Sequence, residues 1–457
     1  MHAQGKPVNT GEIREIEVTG FSHNGEGVGK INGFAVFIPQ GIPGEQVQVR
    51  VTEVRSSFAR GHVQQVLTPS RDRVSPPCPV FGICGGCQLQ HIAYSRQLEL
   101  KRELLVQALK RIGRIGDIGV LPTAGMENPW RYRNKGQFHA GKEGGRVALG
   151  FFKPGSHELV TAGDCLLFSR AVNSLLGYLE QVLSEAQVEV YDQRNGTGWL
   201  RNVVIRESSA TGEIMVIFVT AGSRPVPPAI WEELLTRFPN LVSVYQNVNR
   251  RSSPVVMGAD FILLHGKPAI QDRIGHLSFK ISPSSFFQVN SVQTSLLSHL
   301  VQEMAGLDGS QTVIDAYSGV GTIALFLARR TKKVIAIESS HRAVADARTN
   351  ARENGVTNVQ FLPVRVEEWV AEGKKANHGV DVVVVDPPRR GLNPEFVEAL
   401  LEMKPPKLIY VSCNPATLAR DLGHLANQGY TINAVQPVDM FPQTAHVETV
   451  VLMSRVK

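Results

Sequence analysis

The chain has 457 residues, 42% of them hydrophobic and 19% charged, the make-up of an ordinary globular protein with room for roughly two or three domains. No apolar run approaches the ~20 residues that span a bilayer, and the opening stretch MHAQGKPVNTGEIREIEV has no apolar core of the secretory kind, so a cytoplasmic protein without a membrane partner is expected. A net charge of +7 and a pI near 9.2 point to a polyanionic partner, nucleic acid before an anionic lipid surface.

The first ~70 residues read as β structure. In EQVQVRVTEV, Val47, Val49 and Val51 alternate with Gln48, Arg50 and Thr52, and the preceding stretch is broken by glycines and prolines at short intervals. Short strands with tight turns predict a small barrel. Arg50, Arg55, Arg60, Arg71 and Arg73 give it a basic edge suited either to water or to RNA.

SPPCPVFGICGGCQLQH follows, too rich in Pro, Gly and Cys for regular structure. After it, Leu98, Leu105, Ala108, Leu109 and Ile112 form a helical stripe near 93–115, with Arg96, Lys101, Arg102, Lys110 and Arg111 on the wet face. Residues 130–285 read mainly as strands and loops. WRYRNK, Trp130 to Lys135, interleaves rings and cations in a way that could stack bases and pair phosphates.

From about residue 310 strands and helices alternate. TVIDAYSGVGTIALFLARR is strand, glycine loop and helix, followed by the strands KVIAIE, NVQFLPV, VDVVVVDPP, KLIYVSCNP and HVETVVLM. Continuous Val and Ile runs between helices predict a parallel, doubly wound sheet, with ligands at the carboxyl ends of its strands.

Gly319-Val320-Gly321-Thr322-Ile323-Ala324 fits a dinucleotide pattern, and Glu338 ends the next strand where a ribose-binding acid belongs. An NAD-dependent oxidoreductase is therefore one reading. Asp315 precedes the loop at a strand end, and Asp386-Pro387-Pro388 closes another strand. Carboxylates there would repel a pyrophosphate and suit the cationic S-adenosylmethionine, which is the preferred reading.

Cys413 is the discriminating residue. Methylation of an exocyclic amine needs no covalent nucleophile. Carbon 5 of a uracil does, because it becomes nucleophilic only after a thiolate adds at carbon 6, and a base must then take the carbon 5 proton. Cys413 stands at a strand end with Asn414-Pro415 to turn the chain, and Glu448 in HVETVVLM is the candidate base. The chain has five cysteines, and Cys78, Cys84 and Cys87 fall within ten residues of one another. In a reducing compartment this clustering argues for metal binding or catalysis rather than disulfides, and on spacing alone zinc and an iron-sulfur cluster are equally open.

DAYSGVGTIAL, VVDPPRRGL, YVSCNPATLARD and HVETVVLM together resemble the RNA uracil-C5 methyltransferases, most closely the bacterial 23S rRNA branch, over nearly the whole chain. The resemblance implies a Rossmann-like α/β catalytic domain at 286–457, a TRAM-like RNA-binding barrel at 1–70, and a central β-rich iron-sulfur domain at 71–285 whose helix near 93–115 packs on the catalytic domain. It makes Cys413 the nucleophile and Glu448 the proton acceptor, and gives S-adenosylmethionine contacts to Gln288, Tyr317, Glu338 and Asp386, beside Asp315 and Gly319. Phe286 would stack on the target base. Tyr317 and Ser318 stand where the family often has Phe and Cys. Cys78, Cys84, Cys87 and the distant Cys165 would hold a [4Fe-4S] cluster. A monomer acting on 23S rRNA is the expectation. A tRNA-specific enzyme and an RNA-binding assembly factor without activity are the rivals.

Overall fold

The computed structural model describes residues 7–253, 255–373 and 379–456. The amino-terminal strands, from Ile13–Glu17 to Phe58–Thr68, form a six-stranded sheet around Val36, Ile38, Val47, Val49, Val51 and Ala59. The valine alternation of Gln46–Val54 puts Val47, Val49 and Val51 inside. The sheet curls tightly enough that a Cβ on Gly29 would sit 2.2 Å from Ile16 Cγ2. Not all of the basic edge faces water. Arg73 grips the fully buried Glu45 with two contacts of 2.6 Å, and Arg60 lies over the rings of Phe37 and Phe58 at 5.9 Å.

The central unit is a seven-stranded mixed sheet running from the edge strand Asp260–Gly266 to Leu159–Val160. Two helices, Arg170–Glu185 and Pro228–Arg237, cover one face, where the sequence reads mainly as strands. The other face shares its core with the hairpin Ile270–Ile274/Leu277–Ile281 and the helix Ser291–Ala305. WRYRNK serves architecture more than recognition. Arg131 pairs with Asp164 at 2.6 and 2.7 Å, and the buried Tyr132 donates to the Pro442 carbonyl at 3.0 Å.

The carboxyl-terminal sheet also has seven strands, in the spatial order Val359–Leu362, Lys333–Ile337, Thr312–Ala316, Val382–Val385, Lys407–Ser412, Glu448–Arg455, Tyr430–Val438. The first five run parallel and the final pair antiparallel. The strand order reverses between Thr312–Ala316 and Val382–Val385, which opens a crevice at their carboxyl ends.

The helix Tyr94–Arg111 lies on this sheet's helical layer, with Leu105 and Leu109 in one core with Leu418, Ala419 and Leu422. The approach is close: a Cβ on Gly423 would meet the Gly113 carbonyl at 2.4 Å. Lys101, expected on the wet face, is fully buried and paired at 2.5 Å with the equally buried Asp439. Burial pushes its pKa down while Asp439 holds it up. Tyr94 donates to the other Asp439 oxygen at 2.9 Å. Among the described residues no helix is long and apolar enough to cross a membrane.

Candidate active site

A cleft of about 770 Å³ opens at the crevice, and its walls include Phe286, Gln288, Asp315, Tyr317, Gly319, Glu338, Asp386, Cys413 and Glu448. Strand register explains the convergence. Ala316 pairs with Ile337 on one side and Val385 on the other, so Tyr317, Glu338 and Asp386 are the next residues on three adjacent strands. The antiparallel ladder between Lys407–Ser412 and Glu448–Arg455 ends at Ser412 opposite Thr449. The next residues along, Cys413 and Glu448, both line the cleft, and Glu448 acts electrostatically on the thiol.

The loop after Thr312–Ala316 needs unusual backbone. Tyr317 sits at φ +66°, and Gly319 and Gly321 at +56° and +85°. A Cβ on Gly321 would press to 3.0 Å from the Phe361 ring, so this position needs glycine for space as well as conformation. Glu338 steadies the loop by accepting from the Gly319 N–H at 3.0 Å and the Ser340 N–H at 2.7 Å.

Asn414-Pro415 does more than turn the chain. Asn414 caps the helix Pro415–Asn427 by accepting from the Ala416 N–H at 3.1 Å, and its amide donates to the Arg389 carbonyl at 3.0 Å. Cys413 therefore precedes a helix N-terminus, whose positive end favours a thiolate. Burial nevertheless pushes the thiol up to about 11, with Glu448 and Asp386 adding to the rise and the Arg389 guanidinium opposing it.

Three acids gather here. Burial pushes Asp386 up to about 7. Glu448, 5% exposed, is held well above the usual carboxylate range by burial and then by Asp386. Asp315 is fully buried, and burial and then Asp386 hold it well above its ordinary value against a pull from the Ala324 N–H. Arg342, Arg365, Arg389 and Arg390 also line the cleft, so both signs of charge are present, and a cationic group placed beside Asp315 and Asp386 would favour their ionised forms.

The opposite wall is the segment 282–289. Phe286 is 67% exposed in the cleft. Arg206, buried in the central sheet, donates to the carbonyls of Pro283 at 3.3 Å and Ser285 at 2.5 Å. Asn134 donates to the Gln288 carbonyl at 3.0 Å. The central unit thus fixes the segment that carries Phe286 and Gln288.

Cys78, Cys84, Cys87 and Cys165 are all free and line a second cavity of about 490 Å³. Burial pushes Cys87 up to about 12 and Cys165 up to about 11, and neighbouring thiols add to both. Among the described residues no group of three or more His, Cys, Asp or Glu side chains is disposed to hold a metal ion, so the expected metal site is not formed as a closed ligand set.

Arg389, Phe441 and His446 line both cavities. Sequence reasoning passed over Arg389 and His446, although DPPRRG and HVE carried them. His446 lies 3.5 Å from Arg389, and burial together with that guanidinium lowers its pKa to about 4.

Residues 246–456 match the tRNA (Uracil-5-)-methyltransferase family and residues 7–64 the TRAM domain. A Clostridium tetani protein described as an uncharacterized RNA methyltransferase is 43% identical, over 98% of this chain and 97% of its own. A Halalkalibacterium halodurans protein with the same description is 42% identical, over 99% of each chain. The structure of Pyrococcus abyssi tRNA (uracil-54, C5)-methyltransferase in complex with S-adenosyl-L-homocysteine matches with a TM-score of 0.76 and 32% identity, over 96% of this chain and 99% of that one. The chain belongs to the uracil-5 family of RNA methyltransferases, built with a TRAM domain at its amino-terminal end.

Proposed function

We propose that this protein transfers the methyl group of S-adenosylmethionine to carbon 5 of a uridine in RNA, with 23S rRNA in the cytoplasm as the substrate and the monomer as the active form. The observation that carries the reading is Cys413 beside Glu448 at the edge of an acid-lined crevice.

Asp315, Asp386 and Glu338 offer carboxyls that a sulfonium donor would help to ionise, with Gln288, Tyr317 and Gly319 also in the walls. Phe286 offers an exposed ring on which an extruded uracil can stack. Cys413 loses its proton and its sulfur bonds to carbon 6, which places the electron pair on carbon 5. That carbon bonds to the donor's methyl carbon as the methyl–sulfonium bond breaks, and the donor leaves as its neutral thioether. Glu448 then accepts the carbon 5 proton, the carbon 5–carbon 6 double bond re-forms, and the thiolate of Cys413 leaves.

The four remaining cysteines suit a [4Fe-4S] cluster. The four line one cavity, and the family resemblance favours the cluster over zinc. The cluster would serve structure, since the methyl transfer moves no electrons. Protein purified without oxygen is expected to be brown with about four irons per chain, and Cys87→Ala to lose them. Colourless, active protein carrying one zinc would overturn the assignment.

The full-length similarity to a tRNA enzyme favours tRNA as a second reading. Mapping 5-methyluridine in rRNA and tRNA from a strain lacking the gene decides between them. Loss from 23S rRNA alone supports the first, and loss from tRNA alone replaces it. Wild-type protein incubated with 5-fluorouracil-substituted RNA and the methyl donor is expected to stay joined to it in denaturant. Clean separation despite turnover on normal RNA would overturn the covalent route.

A further inference from the structure

The catalytic cleft is the first of three cavities in series. It shares Arg389, Phe441 and His446 with the cysteine-lined cavity, which in turn shares His139 and Phe152 with a third, of about 370 Å³, in the central unit. Methyl transfer uses nothing in the third cavity.

The walls of that cavity are specific in kind. The His139 ring stacks on Phe152 with centroids 3.8 Å apart and planes 13° apart. Asn202 Nδ2 lies 2.8 Å from His139 Nδ1. The contact is an amide–imidazole hydrogen bond, which leaves the other ring nitrogen for a ligand. Burial and nearby His157 lower the pKa of His139, keeping the ring neutral. Tyr191 lies under the Arg201 guanidinium at 4.6 Å. Arg201 Nη1 donates to the carbonyls of Asn249 and Arg251 at 2.8 and 2.7 Å, anchoring the segment that bears the exposed Arg250 and Arg251. Gln193 and His157 are exposed lining residues, and no Asp or Glu is among the described lining residues.

Rings for a flat molecule, with amides, an imidazole and serine hydroxyls for mixed hydrogen bonding, are the chemistry of nucleobase recognition. The absence of a carboxylate from the lining disfavours a metal ion or an amine. The volume falls within the ~300–1,000 Å³ of small-molecule sites.

We propose that this cavity is a second nucleobase site, which takes an unpaired base of the substrate RNA while the target uridine occupies the catalytic cleft. The proposal rests on RNA being the substrate. It makes the central unit a reader of RNA shape: two unpaired bases must be presented at a fixed separation, one to each end of the series of cavities.

The test uses the full-length protein with its natural RNA substrate. The double variant His157→Ala/Gln193→Ala removes two exposed side chains and should leave the fold intact. Its KM for RNA is expected to rise about tenfold with kcat within about twofold, the size expected when a stacked base loses its partners. Abasic substitution at one non-target nucleotide should raise the wild-type KM equally and have no further effect on the variant. A 4-thiouridine at that nucleotide should crosslink to the peptide holding Tyr191. An unchanged KM in the variant, or abasic effects that simply multiply at every position, would overturn the second site while leaving the methylation reading intact. If wild-type protein methylates no RNA, both fall together.

Discussion

Cys413→Ala is expected to lower turnover by about 10⁴-fold or more while leaving binding of the methyl donor unchanged, because removing a covalent nucleophile removes the whole route. The residues proposed to hold the donor, from Asp315 to Asp386, lie on other strands than Cys413. Isothermal titration with S-adenosylhomocysteine should therefore match wild type. Cys413→Ser should be about as inactive, because the hydroxyl of serine is far harder to deprotonate than a thiol. Turnover of Cys413→Ala within about tenfold of wild type would mean that the methyl group reaches RNA without a protein–base bond.

Glu448→Gln is expected to stall the reaction one step later. The thiolate still adds and the methyl group still moves, but the carbon 5 proton has nowhere to go and sulfur stays bonded to RNA. The expected result is a methylated RNA–protein adduct that survives denaturant, with kcat down by about 10²–10⁴-fold. The pH dependence follows from the direction of the shifts. Glu448 lies well above the usual carboxylate range and Cys413 near 11 in the ligand-free site. Both act only when deprotonated, so kcat/KM should climb as pH rises through neutrality and fall on the acid side. Adduct formation by Glu448→Gln should keep the limb that belongs to the thiol and lose the carboxylate's. A kcat/KM that rises toward acid pH would contradict both assignments.

The gathering of these residues at one sheet edge was legible because a parallel sheet turns linear position into place. Asp315, Glu338, Asp386 and Cys413 each follow an apolar run, and such runs end on one side of the sheet. Lys101 was not legible. Periodicity assigns a lysine on an amphipathic helix to water, and nothing nearby announces Asp439, 338 residues away. The helix Arg170–Glu185 carries a stripe of Val172, Leu175, Leu176, Leu179, Val182 and Leu183, but the strand-like runs on either side hid its period. The gathering of Cys165 with the other three cysteines came from resemblance alone, since spacing says nothing about a ligand far along the chain. The join between the cavities through Arg389 and His446 is a property of packing, which neither period nor motif encodes.

The segment between Val438 and Glu448 has no helix or strand of its own, so its shape is imposed by its neighbours. Lys101 and Tyr94 hold Asp439, Tyr132 holds Pro442, and the N–H groups of Gln88 and Leu89 hold the Gln443 carbonyl. Every one of these partners leaves the ribosome long before the segment they hold. The segment that leads into Glu448 thus takes its shape only when it docks on residues made much earlier. A fragment cut to the catalytic sheet would keep the ladder that sets Cys413 near Glu448 but lose the contacts that shape the segment leading into Glu448.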